Sequence, residues 1–198
     1  QYGYVKRNTH RNTSWDKAKF EVVGHKYADL SDHDNGVALL NDCKYGYMVH
    51  DNLLDLNLLR SPTNPDPDAD KGSHSFTYSF FPHKDSLIHS DVINEAFCLN
   101  QEPILFDGVV SGKVKIPVKL NGQGLELSVL KKAEKEDAWI IRIIETHGRV
   151  SSGSIELSGE IAECDLMEWK ELSKREMVSG HFKLKLNPFE IKTFKLFY

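Results

Sequence analysis

The chain has 198 residues, with 25 Lys and Arg against 29 Asp and Glu, a formal charge of -4 and a 40% hydrophobic share. That length can bury one sizeable or two small cores without a disulfide or metal staple. The acidic balance argues against a nucleic-acid partner, and charged residues interrupt every apolar run well short of the roughly 20 residues that a membrane helix needs.

Cys43, Cys98 and Cys164 are odd in number, widely spaced and form no Cys-x-x-Cys pair. This is the usage of a reducing compartment, and the cytoplasm is the expected location. The N-terminus, Gln-Tyr-Gly-Tyr-Val-Lys-Arg, has neither an initiator Met nor an apolar signal core, as expected of a processed product or a cut piece.

In chain order, Phe20 to Leu30 carries the β-branched pair Val22 and Val23 and predicts a strand. Val37-Ala38-Leu39-Leu40 is a continuous apolar run, the pattern of a strand buried on both faces. Tyr47 to Val49 is its expected return strand and Leu53 to Leu59 a third, so that the three form a meander. Ser61 to Gly72 holds three prolines and predicts an exposed loop. Its Asp66, Asp68 and Asp70 resemble a calcium loop, but the glycine comes one place late and Thr77 stands where the closing Glu belongs. Ser75 to His83 alternates Phe76, Tyr78 and Phe80 against serines and a threonine, which predicts a strand with those aromatics in the core. Ser90 to Leu99 has helical spacing with Ser90 or Asp91 as N-cap. After residue 107 the chain reads as short strands: Lys113 to Leu120, Leu125 to Leu130, Ala138 to Thr146, Ser154 to Leu157, Ile161 to Trp169, Gly180 to Leu186 and Ile191 to Phe197. Regular short strands with polar turns indicate a small sandwich.

The stretch with the richest chemistry follows the apolar run. Asn41, Asp42, Lys44 and Tyr45 place a carboxamide, a carboxylate, an ammonium and a phenol at one sheet edge, as a binding site would. The same residue types also make an ordinary hairpin turn with a solvated charge pair. Nine histidines form no His-x-x-x-His pair and no Cys-His cluster, and no P-loop, Gly-x-Ser-x-Gly elbow or dinucleotide fingerprint is present. Thr9 to Asp16 gathers hydrogen-bonding side chains around Trp15, either as a sugar-contacting loop or as a loop that satisfies its own backbone.

Several of these segments, in this order and spacing, resemble the C-terminal part of glycoside hydrolase family 38 α-mannosidases of the cytosolic and bacterial branch. They are Asn12-Thr13-Ser14-Trp15-Asp16, Phe20-Glu21-Val22, Gly36 to Gly46, Leu58-Leu59-Arg60-Ser61-Pro62, Phe76-Thr77-Tyr78, Glu145-Thr146-His147-Gly148 and Asn187-Pro188-Phe189-Glu190-Ile191-Lys192. The resemblance implies an all-β chain with one short helix: residues 1–107 as the end of a large antiparallel β-sandwich domain and 108–198 as a small terminal β-sandwich. It implies a parent enzyme that hydrolyses α-mannosides with retention on an Asp nucleophile, with zinc binding the sugar hydroxyls. The nucleophile, acid/base and zinc ligands of the family lie on a barrel and helical bundle with no counterpart here, so no catalytic or metal residue is assigned and the region alone is expected to be inactive. Lys44 is matched to a basic residue at the edge of the substrate cleft, with Asn41, Asp42 and Tyr45 beside it. The implied partners are the rest of the mannosidase chain and an α-mannoside, with oligomerisation of the parent as a further role. The alternative of a different class is a non-catalytic sandwich that binds carbohydrate or a protein partner. Asn8, Arg11 and Lys26-Tyr27 depart from the family's usual residues.

Overall fold

A computed structural model of the chain describes residues 2–108 and 118–197. The chain divides into two compact units, the first spanning Lys6–Asp107 and the second combining Gln1–Val5 with Gly108–Tyr198. The predicted strand from Lys113 falls outside the described residues up to Pro117.

The first unit contains α1 (Ser14–Ala18), β1 (Val22–Val23), β2 (Tyr27–Ser31), β3 (Asn35–Asn41), β4 (Gly46–His50), β5 (Leu53–Asn57), β6 (Tyr78–Lys84), a 3-10 turn at Leu87–His89 and α2 (Val92–Asn100). Its strands form two antiparallel three-stranded sheets, ordered β2-β3-β6 and β1-β4-β5. The expected meander is therefore corrected: β4 and β5 pair as a hairpin, but β3 pairs with β2 and β6 instead of β4. The expected strand from Phe20 is likewise two strands in different sheets, because Gly24 breaks it. A Cβ at Gly24 would lie 2.8 Å from the Tyr47 ring, so only glycine lets the backbone pass.

One face of β2-β3-β6 packs on α2. Ala38, Leu40, Val92 and Ala96 form the buried centre, with Tyr27, Phe81, Leu87 and Leu99 around it. Helix α2 starts after Asp91, one of the two N-caps expected, although its first N–H reaches the Ser90 hydroxyl at 3.4 Å. At the other end of this face the His83 ring donates to Asp29 Oδ1 at 2.7 Å and to the Lys84 carbonyl at 3.1 Å. Gly36 makes room for that ring, since a Cβ there would come within 2.4 Å of it.

The aromatic alternation ahead of His83 is inverted relative to the sequence reading. Phe80 is 67% and Tyr78 57% exposed, whereas Ser79, Phe81 and His83 point inward. Register explains the inversion. Pairing of Gly36 with His83 and Ala38 with Phe81 puts the odd-numbered residues of β6 on the α2 side, and one frame decides every side chain of a strand. In the loop before β6, Asp66 and Asp70 accept backbone N–H groups of Asp68 and Ser61, and Asp68 pairs with Lys71. The calcium-like triplet is thus engaged in turns.

The second unit contains β7 (Lys119–Asn121), β8 (Leu125–Lys132), β9 (Trp139–Glu145), β10 (Ser151–Cys164), β11 (Glu176–Leu186) and β12 (Ile191–Phe197). They form one antiparallel sheet ordered β11-β10-β12-β9-β8, with β7 also on β10. The two strands expected over 154–169 are one, β10, whose neighbour changes from β7 to β12 across Gly159. A φ of 140° at Gly159, with the Phe197 carbonyl 2.3 Å from where a Cβ would sit, keeps the strand continuous where a turn was expected. The change of partner lets the sheet close over a core of Ile141, Ile143, Ile155, Leu157, Ile161, Leu184, Leu186, Phe194 and Leu196. The fold is all-β, with α1 and α2 as the short α-helices among the described residues, and the second unit is a small β-sandwich.

Candidate functional site

Residues 41–46 link β3 of one sheet to β4 of the other, so the stretch is a crossing between sheets and not a hairpin turn. Asn41 builds it. Its carboxamide oxygen accepts from the N–H groups of Cys43 at 3.0 Å and Lys44 at 2.5 Å, an Asx turn that reverses the chain. Its amide nitrogen donates to the His25 carbonyl at 3.1 Å and to the Tyr47 hydroxyl. The Tyr47 hydroxyl in turn donates to His25 O at 3.1 Å, and burial pushes that phenol up to about 12. Asn100, at the end of α2, donates to the Asn41 carbonyl at 3.1 Å. Asn41 is 1% and Tyr47 1% exposed, so the anchor of the turn is dry and its polar groups are matched internally.

The three other predicted residues sit beyond that anchor. Asp42 accepts from the Thr77 N–H at 3.0 Å and its own N–H returns to the Thr77 carbonyl at 3.2 Å, which zips the turn to the chain entering β6. The Cys43 thiol and the Thr77 N–H hold the Asp42 carboxyl below the usual carboxylate range, and the same carboxylate raises the thiol. The Lys44 ammonium lies 4.8 Å from the centre of the Phe76 ring, a cation–π contact that fixes a side chain otherwise free to wander. Tyr45 is 54% exposed and stands edge-on to His25 at 5.3 Å.

The structure therefore brings the four predicted residues together and separates their roles. Asn41 is buried, with both donors and its acceptor oxygen used inside the protein, so it positions the turn. Asp42, Lys44 and Tyr45 form the tip. Their partners Phe76, Thr77, His25 and Tyr47 were not singled out for the site by sequence, because they come from other segments and only the fold puts them beside the turn. Trp15 in the Thr9–Asp16 segment is 79% exposed, while Thr13 and Asp16 close a capping box on α1.

The two landmarks of the resemblance in the second unit form a single structural device. The Glu145 side chain is fully buried, and its carboxylate accepts from the N–H groups of His147, Gly148, Arg149 and Phe189 and from the Ser151 hydroxyl, at 2.8–3.3 Å. Glu145-Thr146-His147-Gly148 and Asn187-Pro188-Phe189-Glu190 thus meet around one carboxylate. The Phe189 ring closes over Gly148 and Gly3, and Tyr4 packs edge-on to it at 5.6 Å while donating to the His147 carbonyl at 3.1 Å.

Comparisons with known proteins agree with this assignment of motifs. Residues 1–68 match the family model described as the glycosyl hydrolases family 38 C-terminal domain, and residues 124–194 match that of the family 38 C-terminal beta sandwich domain. Alpha-mannosidase G of Dictyostelium discoideum is 41% identical over 98% of this chain, and alpha-mannosidase 2C1 of Homo sapiens is 37% identical over 96%. Alpha-mannosidase of Saccharomyces cerevisiae is 36% identical over the whole chain. The chain spans about a fifth of the length of these relatives, 19% of the first two and 21% of the third. Among solved structures, a family 38 glycosyl hydrolase of Enterococcus faecalis superposes with a TM-score of 0.73 at 15% identity, covering 99% of this chain and 24% of its own. An alpha-mannosidase from Enterococcus faecalis V583 gives 0.70 at 14%, covering 99% and 23%. The chain belongs to glycosyl hydrolase family 38 and corresponds to the C-terminal region of that family's α-mannosidases.

Proposed function

We propose that this chain is the C-terminal region of a cytoplasmic α-mannosidase that hydrolyses α-mannosides with retention, and that the tip Asp42–Tyr45 forms one edge of the sugar cleft. The observation that carries the proposal is the dry Asn41 anchor, which presents a charged and aromatic tip on a chain 36–41% identical to proteins named alpha-mannosidases. At such an edge the Lys44 ammonium donates to sugar hydroxyls, the ionised Asp42 carboxylate accepts from them, and the Tyr45 ring offers an apolar face to the sugar. Lys44 enters this arrangement already oriented by Phe76, which lowers the entropy lost on binding.

Nucleophile and acid/base belong to polypeptide outside this region. Zinc in the parent would bind the sugar hydroxyls. Among the described residues no group of three or more His, Cys, Asp or Glu converges, and no step is assigned to zinc here. Three free cysteines fit a reducing compartment, and no described helix is long and apolar enough to cross a membrane.

The test is turnover of an aryl α-mannoside by the intact parent protein, with the anomer of the first product followed by NMR. The expected result is α-mannose released first, activity lost to a chelator and restored by zinc, and no turnover by residues 1–198 alone. Release of β-mannose, or activity in the isolated region, contradicts the proposal.

A further inference from the structure

Register puts Val23, Gly46 and Asn57 in one row across β1, β4 and β5, on the sheet face opposite the buried Tyr47. Gly46 directly follows Tyr45, so this row begins where the tip of the Asn41 turn ends. Val23 is 63% exposed, and Gly46 and Asn57 are half-buried. Two charged side chains frame the row. The exposed Glu21, one residue before β1, reaches across β4, and its Oε1 accepts from Asn57 Nδ2 at 2.8 Å. Arg7 donates one N–H to the Val23 carbonyl at 3.1 Å. We propose that Glu21 and Asn57, with Arg7 at the rim, form a second sugar-binding subsite that takes the sugar on the leaving-group side of the mannosidic bond. The proposal rests on reading the Lys44 tip as an edge of the cleft around the mannose that is released.

Three observations select that ligand. Gly46 lies outside the left-handed region, so its backbone does not call for glycine. A Cβ there would come 3.2 Å from Asn57 Cβ and 3.6 Å from Glu21 Oε2, so the glycine keeps clear the space beneath the Glu21–Asn57 bridge, as a strand does where a ligand approaches closely. The bridge is solvent-exposed and adds little to stability, because water satisfies the same groups in the unfolded chain. Its chemistry suits a sugar. Among the described residues Glu21 Oε2 has no donor, and it is free to accept from a hydroxyl. The Asn57 carboxamide oxygen accepts beside it, the remaining Arg7 N–H groups donate, and Val23 with the bare Gly46 backbone gives the C–H side of a ring an apolar floor. Position sets which sugar is held. Gly46 is two residues from Lys44, at most about 7 Å along the chain, so the two sets of groups serve adjoining rings of one glycan. The proposed reaction releases mannose itself, and the adjoining ring is therefore part of the leaving group.

Kinetics of the intact parent on two substrates tests the proposal: α-linked mannobiose, whose leaving group is a sugar, and an aryl α-mannoside, whose leaving group carries no sugar hydroxyls. Glu21→Gln keeps an acceptor for Asn57 and removes the charge. It should lower kcat/KM on mannobiose roughly tenfold more than on the aryl mannoside, chiefly through KM. An equal effect on both substrates, or none, overturns the subsite, and an equal loss with a lower melting temperature assigns the bridge to holding the sheet. Should Glu21→Gln fail to fold, Arg7→Gln decides on the same ratio, with a shift against mannobiose expected and an unchanged ratio overturning the proposal. The two readings fail differently. A parent in which Lys44→Ala lowers turnover while Glu21→Gln leaves the ratio unchanged refutes the subsite alone. A parent that cleaves neither substrate refutes the functional reading, and the subsite with it.

Discussion

Asn41→Ala is the most informative perturbation of the fold around the candidate site. It deletes two donated bonds, to His25 O and the Tyr47 hydroxyl, and leaves the N–H groups of Cys43 and Lys44 without their acceptor. At about 1 kcal/mol for each buried bond lost, with water recovering the two N–H groups in part, the first unit should lose about 3 kcal/mol. With a urea m-value of about 1.5 kcal/mol per M for a unit of this size, its midpoint falls by roughly 2 M. Urea unfolding followed by pulsed hydrogen exchange, read by mass spectrometry on peptides from residues 6–107, separates its transition from that of the second unit. Asn41→Asp refines the test. A carboxylate still accepts from Cys43 and Lys44 but cannot donate to His25 O, so it should cost more than half as much as alanine and rotate the turn less. A midpoint shift below about 0.5 M for Asn41→Ala would show that the carboxamide does not hold the turn.

Two further predictions concern charge. Glu145→Gln turns an NH2 group toward backbone N–H donors and should cost the second unit about 3 kcal/mol in denaturant unfolding. Burial opposes the Glu145 charge, but hydrogen bonds from Phe189, Ser151, His147 and Gly148 outweigh it and lower its value below 4.5. Its contribution is therefore present above pH 4.5 and lost as pH falls through the lower folded value, and Glu145→Gln should flatten that acid limb. His83 works in the opposite sense. Burial opposes its charge, while Asp29 and the carbonyls of Lys84 and Asp85 raise it above 6.5 overall. Its stabilisation of the first unit is complete below pH 6.5 and lost as pH rises through the raised value. Melting temperatures between pH 6 and 9 should show that decline in the native chain and lack it in Asp29→Asn.

What the residues disclosed and what they withheld follow physical lines. The run Val37 to Leu40 and the helical spacing of Ser90 to Leu99 were legible because each depends on local periodicity, and both elements formed with Ala38 and Leu40 packed on Val92 and Ala96. The facing of β6 was not. Tyr78 and Phe80 alternate with serines as a core strand would, but a pattern of period two cannot tell which of the two faces of the strand is the buried one. Gly159 looked like a turn in a strand-rich region, and only its carbonyl neighbour at Phe197 shows why the strand continues. At the site, the Asx character of Asn41 was visible in its residue type. That β3 and β4 belong to different sheets was not, because turn residues look alike whether the next strand pairs back or departs. The Glu145 cluster was visible only as two separate landmarks, since its bond to Phe189 joins residues 44 positions apart.

The account turns on whether the tip of the Asn41 turn meets the sugar, and Lys44→Ala in the intact parent enzyme measures this most directly. The side chain is partly exposed and packs on Phe76, so its removal should leave the melting temperature nearly unchanged. Loss of a charged hydrogen bond to a sugar hydroxyl is worth about 1.5–3 kcal/mol, which lowers kcat/KM on an α-mannoside by roughly tenfold to a hundredfold. A kcat/KM equal to that of the unaltered enzyme would contradict the account and leave Asp42–Tyr45 as a structural crossing between two sheets.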